Sequence, residues 1–308
     1  MNIHSIPWST AAGRKGNLPL VLLAVTLLPA TAYSAYVLRQ SARWTTARTR
    51  ISPPDPLRIK ADVNADDGDG RNYEEEEEKI EDVLPASICA DINTGKYVVA
   101  RERIVSEAVP LRQILPGLLP GLSYLQGERG KEWEQGANGD TRGLLETYLA
   151  TTMRTFTWTP QAFIMKLLVS RLPGGQALAR TFSTEYLDEC RFAAGDRVCG
   201  VYVVRERVHN NAFGDAQKSG ENGRGERILL DLSAPEGWTG PVVSGALDCG
   251  YVLSQENEEA VVRFVNETVL WRAENEKPTL LEGAVSRWMH GAMVRWMVVR
   301  GVEAVTRG

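Results

Sequence analysis

The sequence predicts an α+β fold: an antiparallel β-sheet packed by a long C-terminal helix, preceded by one N-terminal transmembrane helix. Three observations carry this. Segments of alternating apolar and polar residues follow one another between Arg197 and Arg272, the pattern of half-buried strands. From Leu281 to Val299 the apolar residues recur instead at helical spacing. Leu18–Leu38, written LPLVLLAVTLLPATAYSAYVL, is 21 residues without a charge.

The 308 residues are 43% apolar, enough for a sizeable core, and exclude collagen, wholesale disorder and a small disulfide scaffold. The net charge of −4 divides into +7 over residues 1–61, −9 over 62–82 and −2 over 83–308. At about 1.5 Å per residue the uncharged stretch reaches about 30 Å, one bilayer core. Arg14 and Lys15 precede it, and Arg39, Arg43, Arg48 and Arg50 follow it. Tyr33, Tyr36 and Trp44 gather at that end, as an interfacial aromatic belt does. A cleaved signal peptide is the rival reading, with Leu18–Leu28 as its apolar core and Ala30-Thr31-Ala32 as its cleavage site. It needs neither the uncharged run on to Val37 nor the Arg residues beyond. For a single-pass anchor, the Arg excess places the C-terminal side in the cytosol.

Residues 1–17 are then a tail, 18–38 the span, and 39–85 a basic and then acidic linker expected to be disordered. Pro53, Pro54 and Pro56 lead into DVNADDGDGRNYEEEEEKIED, too polar and too like-charged to offset chain entropy. Asp62, Asn64, Asp66 and Gly68 suggest a calcium loop, but Asp67 stands where the turn needs Gly and Tyr73 where the bidentate Glu belongs.

The globular domain is expected at 86–308. Asn93-Thr94-Gly95 separates Ile88–Ile92 from Lys96–Val105, which reads as a β-hairpin. Asp140 can cap a helix from Thr141 to Phe156 that carries Leu145, Tyr148, Leu149, Thr152 and Phe156 on one side. Thr159-Pro160 opens a second helix through Phe163, Ile164, Leu167 and Leu168, which Pro173-Gly174-Gly175 ends. Strands follow at Arg197–Val208, Arg227–Leu232, Gly245–Ser254 and Ala260–Arg272, with Asn210–Gly225 as a connection. Leu247, Cys249, Tyr251 and Leu253 share one face of their strand, with Asp248 opposite. Thr279-Leu280-Leu281-Glu282 is a capping-box pattern, and the last helix should run to about Val305. Its expected buried stripe is Leu281, Val285, Trp288, Met289, Ala292, Trp296 and Val299, with Arg287, His290 and Arg295 outside it. The same Met, Trp and Arg make-up also suits a membrane surface.

In this order of elements, residues 86–306 resemble the helix-grip superfamily of START domains, pathogenesis-related plant allergens and polyketide cyclase-like proteins. The resemblance is one of architecture. It implies a hydrophobic ligand held between sheet and long helix, with Asn266, Thr268, Trp288, Met289 and Trp296 as candidate lining.

Catalytic signatures are sparse. No G-x-S-x-G, no H-E-x-x-H and no zinc-spaced Cys/His cluster occurs, so no metal or cofactor is expected. Cys89, Cys190, Cys199 and Cys249 are far apart and read as buried small thiols. The near-neutral domain lacks the basic stripe of a nucleic-acid binder. His209 and His290 read as surface residues, and the Asn266-Glu267-Thr268 sequon as unmodified, since its Asn lies on an apolar strand face. Acid–base chemistry would fall to Asp231 and Asp248 within strands, helped by Tyr202 or Tyr251. Three functions are therefore expected. The first is a membrane-anchored protein that binds or transfers a lipophilic small molecule. The second is a cofactor-independent cyclase or isomerase of lipid or secondary metabolism. The third is a membrane-tethered scaffold that docks a membrane-bound protein partner and has no cavity.

Overall fold

Thr45–Ser52 (β1), Tyr97–Ser106 (β2), Val109–Pro110 (β3), Arg197–Val198 (β4), Tyr202–His209 (β5), Arg224–Leu232 (β6), Ser244–Glu256 (β7) and Glu259–Ala273 (β8) form one sheet. The computed structural model describes residues 38–52, 83–92, 96–119, 142–209, 224–240, 242–256 and 259–306. Apart from residues 38–40, these belong to one compact unit beginning at Ser41. The expected span up to Val37, the acidic run, Asp140 and most of the Gly-rich connection lie outside the described residues. Within them, no helix is long and apolar enough to cross a membrane.

The strand order is β1-β2-β8-β7-β6-β5-β4, antiparallel throughout, with β3 continuing beside β8. The first strand after the acidic run thus lies against the last, and β4 to β8 run as a meander. Ala284–Val305 forms the long C-terminal helix, here α6, which packs on β2, β8 and the helix Leu144–Phe156 (α2). The chain is therefore α+β, an antiparallel sheet packed by its C-terminal helix.

Alternation along the strands separates two faces. The helix-side face carries Ala100 and Ile104 of β2, Leu230 of β6, Cys249 and Tyr251 of β7, and Phe264 of β8. Against it α2 buries Leu145, Tyr148, Leu149, Thr152 and Phe156, the side expected of it, and Tyr148 stacks on Phe264 at 4.6 Å. Thr159 caps Pro160–Val169 (α3) by accepting from the Ala162 N–H at 3.2 Å. Two short helices, Gly175–Arg180 (α4) and Thr184–Glu189 (α5), complete this layer.

Four expectations are corrected. Ala86–Ile92 is a helix (α1), not one arm of a hairpin. The Pro85 carbonyl accepts from the amides of Ile88 and Cys89, and Val83, Leu84 and Ile88 bury against Val99, Leu229 and Val269 on the sheet's second face. So short an apolar run has no periodicity to separate strand from helix. Secondly, Thr45–Ser52 is an edge strand, not linker: Ala47 and Ile51 turn to the helix side while Arg48 and Arg50 stay exposed. Charge along an edge strand discourages pairing with another chain. Thirdly, Arg197–Val208 is two strands, broken at Cys199 and Gly200, whose φ of 47° and 73° are left-handed.

Fourthly, α6 buries a different face from the one expected. The side chains it buries are Val294, Met297, Val298 and Val305, with Gly291 and Gly301 on the same buried side. Val285, Trp288 and Met289 are exposed, and Ala292, Trp296 and Val299 are half-buried. The glycines decide this: a Cβ on Gly301 would stand 2.6 Å from both Thr152 Oγ1 and Tyr148 Cε2, and one on Gly291 2.9 Å from Glu102 Oε1. The helix approaches α2 and β2 closely along its small residues, so its bulkiest side chains point the other way.

Candidate functional site

A cavity of about 240 Å³ lies between the sheet, α3 and the start of α6. Tyr202, Leu247, Thr268 and Leu270 form its sheet wall, and Met165, Leu168 and Val169 its α3 wall. The loop between β6 and β7 contributes Trp238, Val242 and Val243, and Leu280 and His290 close the α6 side. Most of the lining is apolar. The exposed side chains of Leu168, Val242 and Val243 border its mouth. Drug-sized ligands usually occupy about 300–1,000 Å³, so this volume suits a compact molecule, smaller than a phospholipid.

The chemically distinctive group is His290. Its Nδ1 lies 2.6 Å from Glu102 Oε2, and the side chains are 11% and 4% exposed. Glu102 stands on the helix-side face of β2, between Ala100 and Ile104 and in register with Thr268 of β8. Gly291 leaves room for it. A carboxylate on one ring nitrogen fixes the imidazole's orientation and leaves Nε2 for a molecule in the cavity. With its proton on Nδ1, the ring offers a lone pair at Nε2, able to accept a hydrogen bond or a proton.

Tyr202 is the expected acid–base residue that does reach the cavity. Burial, followed by the neighbouring Cys199 and Cys249, pushes its phenol well above the ordinary range, so at neutral pH it is a donor and not a base. Tyr251 lies outside the cavity wall, beside Phe264 in the core, and burial pushes its phenol up to about 12. Asp231 and Asp248 are on the sheet's other face. Arg205 donates to Asp231 through Nε at 3.0 Å, and Arg227 Nη1 lies 3.4 Å from Asp248. Strand alternation explains this: Asp231 follows Leu230, and Asp248 lies between Leu247 and Cys249. Neither carboxylate can act in the cavity.

Of the candidate lining, Thr268 is in the cavity wall, and Asn266 is buried on the same strand face outside that wall. Trp288 and Met289 are 65% and 60% exposed, and Trp296 is half-buried, so these three do not line it. His209 ends β5 at the surface, 3.2 Å from Glu226. Cys190, Cys199 and Cys249 are buried thiols, and Cys89 is half-buried and donates to the Leu84 carbonyl at 3.8 Å. Among the described residues no group of three His, Cys, Asp or Glu side chains is placed to hold a metal ion. No protein family, curated protein or solved structure matches this chain.

Proposed function

We propose that the domain binds a compact lipophilic molecule bearing one polar group, for transfer or sequestration at a membrane to which residues 18–38 anchor it. The cavity is the observation that carries this reading: apolar walls, a few polar groups at Tyr202, Thr268 and His290, and a mouth edged by exposed aliphatic side chains. The antiparallel sheet closed by the long C-terminal helix supports it as well, since the helix-grip resemblance implies a ligand held between those two elements. The cavity also weighs against a scaffold that only docks a partner.

A second reading rests on the His290–Glu102 pair. A carboxylate-held imidazole in an apolar cavity is the arrangement of a general base, and an isomerase or cyclase would move a substrate proton through Nε2 and return it at another atom. His290 and Glu102 then replace Asp231 and Asp248 as the acid–base groups.

Native mass spectrometry of the full chain with lipid extract, together with thermal shifts from apolar phenols and fatty acids, tests both readings. A bound molecule is expected, and Leu247→Trp, which puts a bulky ring into the cavity and narrows it, should weaken its binding. His290→Gln should weaken binding in the first reading. In the second it should leave binding and abolish conversion of the captured molecule. No bound species and no thermal shift with any apolar probe would overturn both.

A further inference from the structure

The outward side of α6 is apolar over most of its length. At 100° per residue, Val285, Trp288, Met289, Ala292, Trp296 and Val299 fall within about a third of the circumference, opposite the buried arc of Gly291, Val294, Val298 and Gly301. From Val285 to Val299 this stripe is about 21 Å long. Its first three large side chains are 73%, 65% and 60% exposed. A helix apolar on both sides has two faces to cover, and the fold covers one.

Both flanks of the stripe are occupied. On one, Met293 packs against the core, and His290 beyond it turns to the cavity. On the other, Arg295 Nη1 donates to the Thr45 carbonyl at 3.3 Å, which ties α6 to the first residue of β1. The residue before it, Trp44, is 57% exposed. Trp44 is also six residues from Leu38, the last residue of the uncharged stretch, with exposed Arg39 and Arg43 between them.

We propose that the outward stripe of α6 lies on the surface of the bilayer that residues 18–38 enter, with Trp44 at the same depth. Three observations select a bilayer as the occupant. The chain on the Arg295 flank leads within six residues into a stretch long enough to span one. Trp, Met and Val are the side chains that settle at the boundary of headgroups and acyl chains, where Trp is favoured. Arg39 and Arg43 stand where anionic headgroups would meet them. The inference rests on the anchor reading of residues 18–38 and is independent of what the cavity holds. It also gives α6 two roles: its glycine side closes the fold, and its tryptophan side faces lipid.

The test uses the full chain in phosphatidylcholine vesicles containing a minor fraction of phosphatidylserine, on a Cys89→Ser background. A bimane label is placed at Met289→Cys or, as a control, at Ala194→Cys on the turn before β4, at the opposite sheet edge from β1. Both positions are exposed, and circular dichroism checks that the fold is kept. Nitroxide-bearing lipids should quench the label at position 289 several-fold more than at 194, and iodide should reach it less. Equal quenching at the two positions overturns the proposal. So does a label at 289 that is shielded from iodide without lipid quenching, the result of cover by a second copy or by the chain's own N-terminal segment. Failure of the chain to float with the vesicles overturns it too.

Discussion

At residue scale the polar side chains separate into those that hold the fold and those that face the cavity. Glu146 belongs to the first kind. It accepts from Arg207 Nη1 at 2.7 Å, from Arg191 at 3.4 Å and from the Gly143 N–H at 3.3 Å. Burial alone would raise its pKa, but the Arg207 hydrogen bond and charge, with Gly143 and Arg191, hold it below the ordinary 4.5. A carboxyl with a lower pKa folded than unfolded adds stability that is complete above the unfolded value and is lost as pH falls through the folded one. The melting temperature should therefore fall as pH drops below about 4.5, and Glu146→Gln should flatten that slope while lowering the plateau at neutral pH. Thermal melts across the acid range check this; parallel slopes in the two proteins would refute it. His290 belongs to the second kind, and its place was illegible for a definite reason. Its position outside the apolar stripe reads as solvent-facing only while the stripe is taken as the buried side. Glu102 left a fainter sign, as a carboxylate alternating with Ala100 and Ile104 on an otherwise apolar strand face.

At the scale of elements, periodicity locates α6 but misassigns its face. The capping-box pattern is half realised: Glu282 accepts from the Thr279 N–H at 2.7 Å, but it also binds Arg272, and the helix begins at Ala284 with Gly283 as its cap. Apolar spacing says which residues share a side, and close approach at glycine decides which side is buried. Gly291 and Gly301 carried that second signal in the sequence. This has a mutational consequence. Gly301→Val places a branched side chain where Thr152 and Tyr148 already stand, so it should cost about 1–3 kcal/mol by overpacking. Trp288→Ser, on the exposed side, should change stability by no more than about 0.5 kcal/mol. Denaturant unfolding of the two variants reads this directly. The opposite ranking would mean that the tryptophan side is the packed one.

Across the whole molecule, the fold class, the meander and the closing helix were legible because each is written in local periodicity. The N-terminal boundary was not. β1 is short and polar on one side, it follows Arg43 and Trp44, and its partner β2 begins 45 residues after the Thr45–Ser52 strand ends at Ser52. Composition cannot distinguish such an edge strand from a linker when its pairing is this distant. The boundary matters for stability. β1 pairs with β2 from Thr45↔Ser106 to Ser52↔Val99, and it buries part of Ala47 and Ile51 against the α6 side. A chain beginning at Ser41 keeps this ladder, and one beginning at Pro53 loses it. The loss should amount to roughly 3 kcal/mol from the Ile51 and Ala47 contacts and the ladder hydrogen bonds. For a domain of this size that lowers Tm by roughly 6–12 °C. The shorter chain should also aggregate more, because β2 becomes an open edge. A domain that began at residue 86 would melt identically in the two forms, so equal Tm values would remove β1 from the sheet. They would also detach Trp44 from α6, and with it the argument that brings the helix's outer stripe to the bilayer.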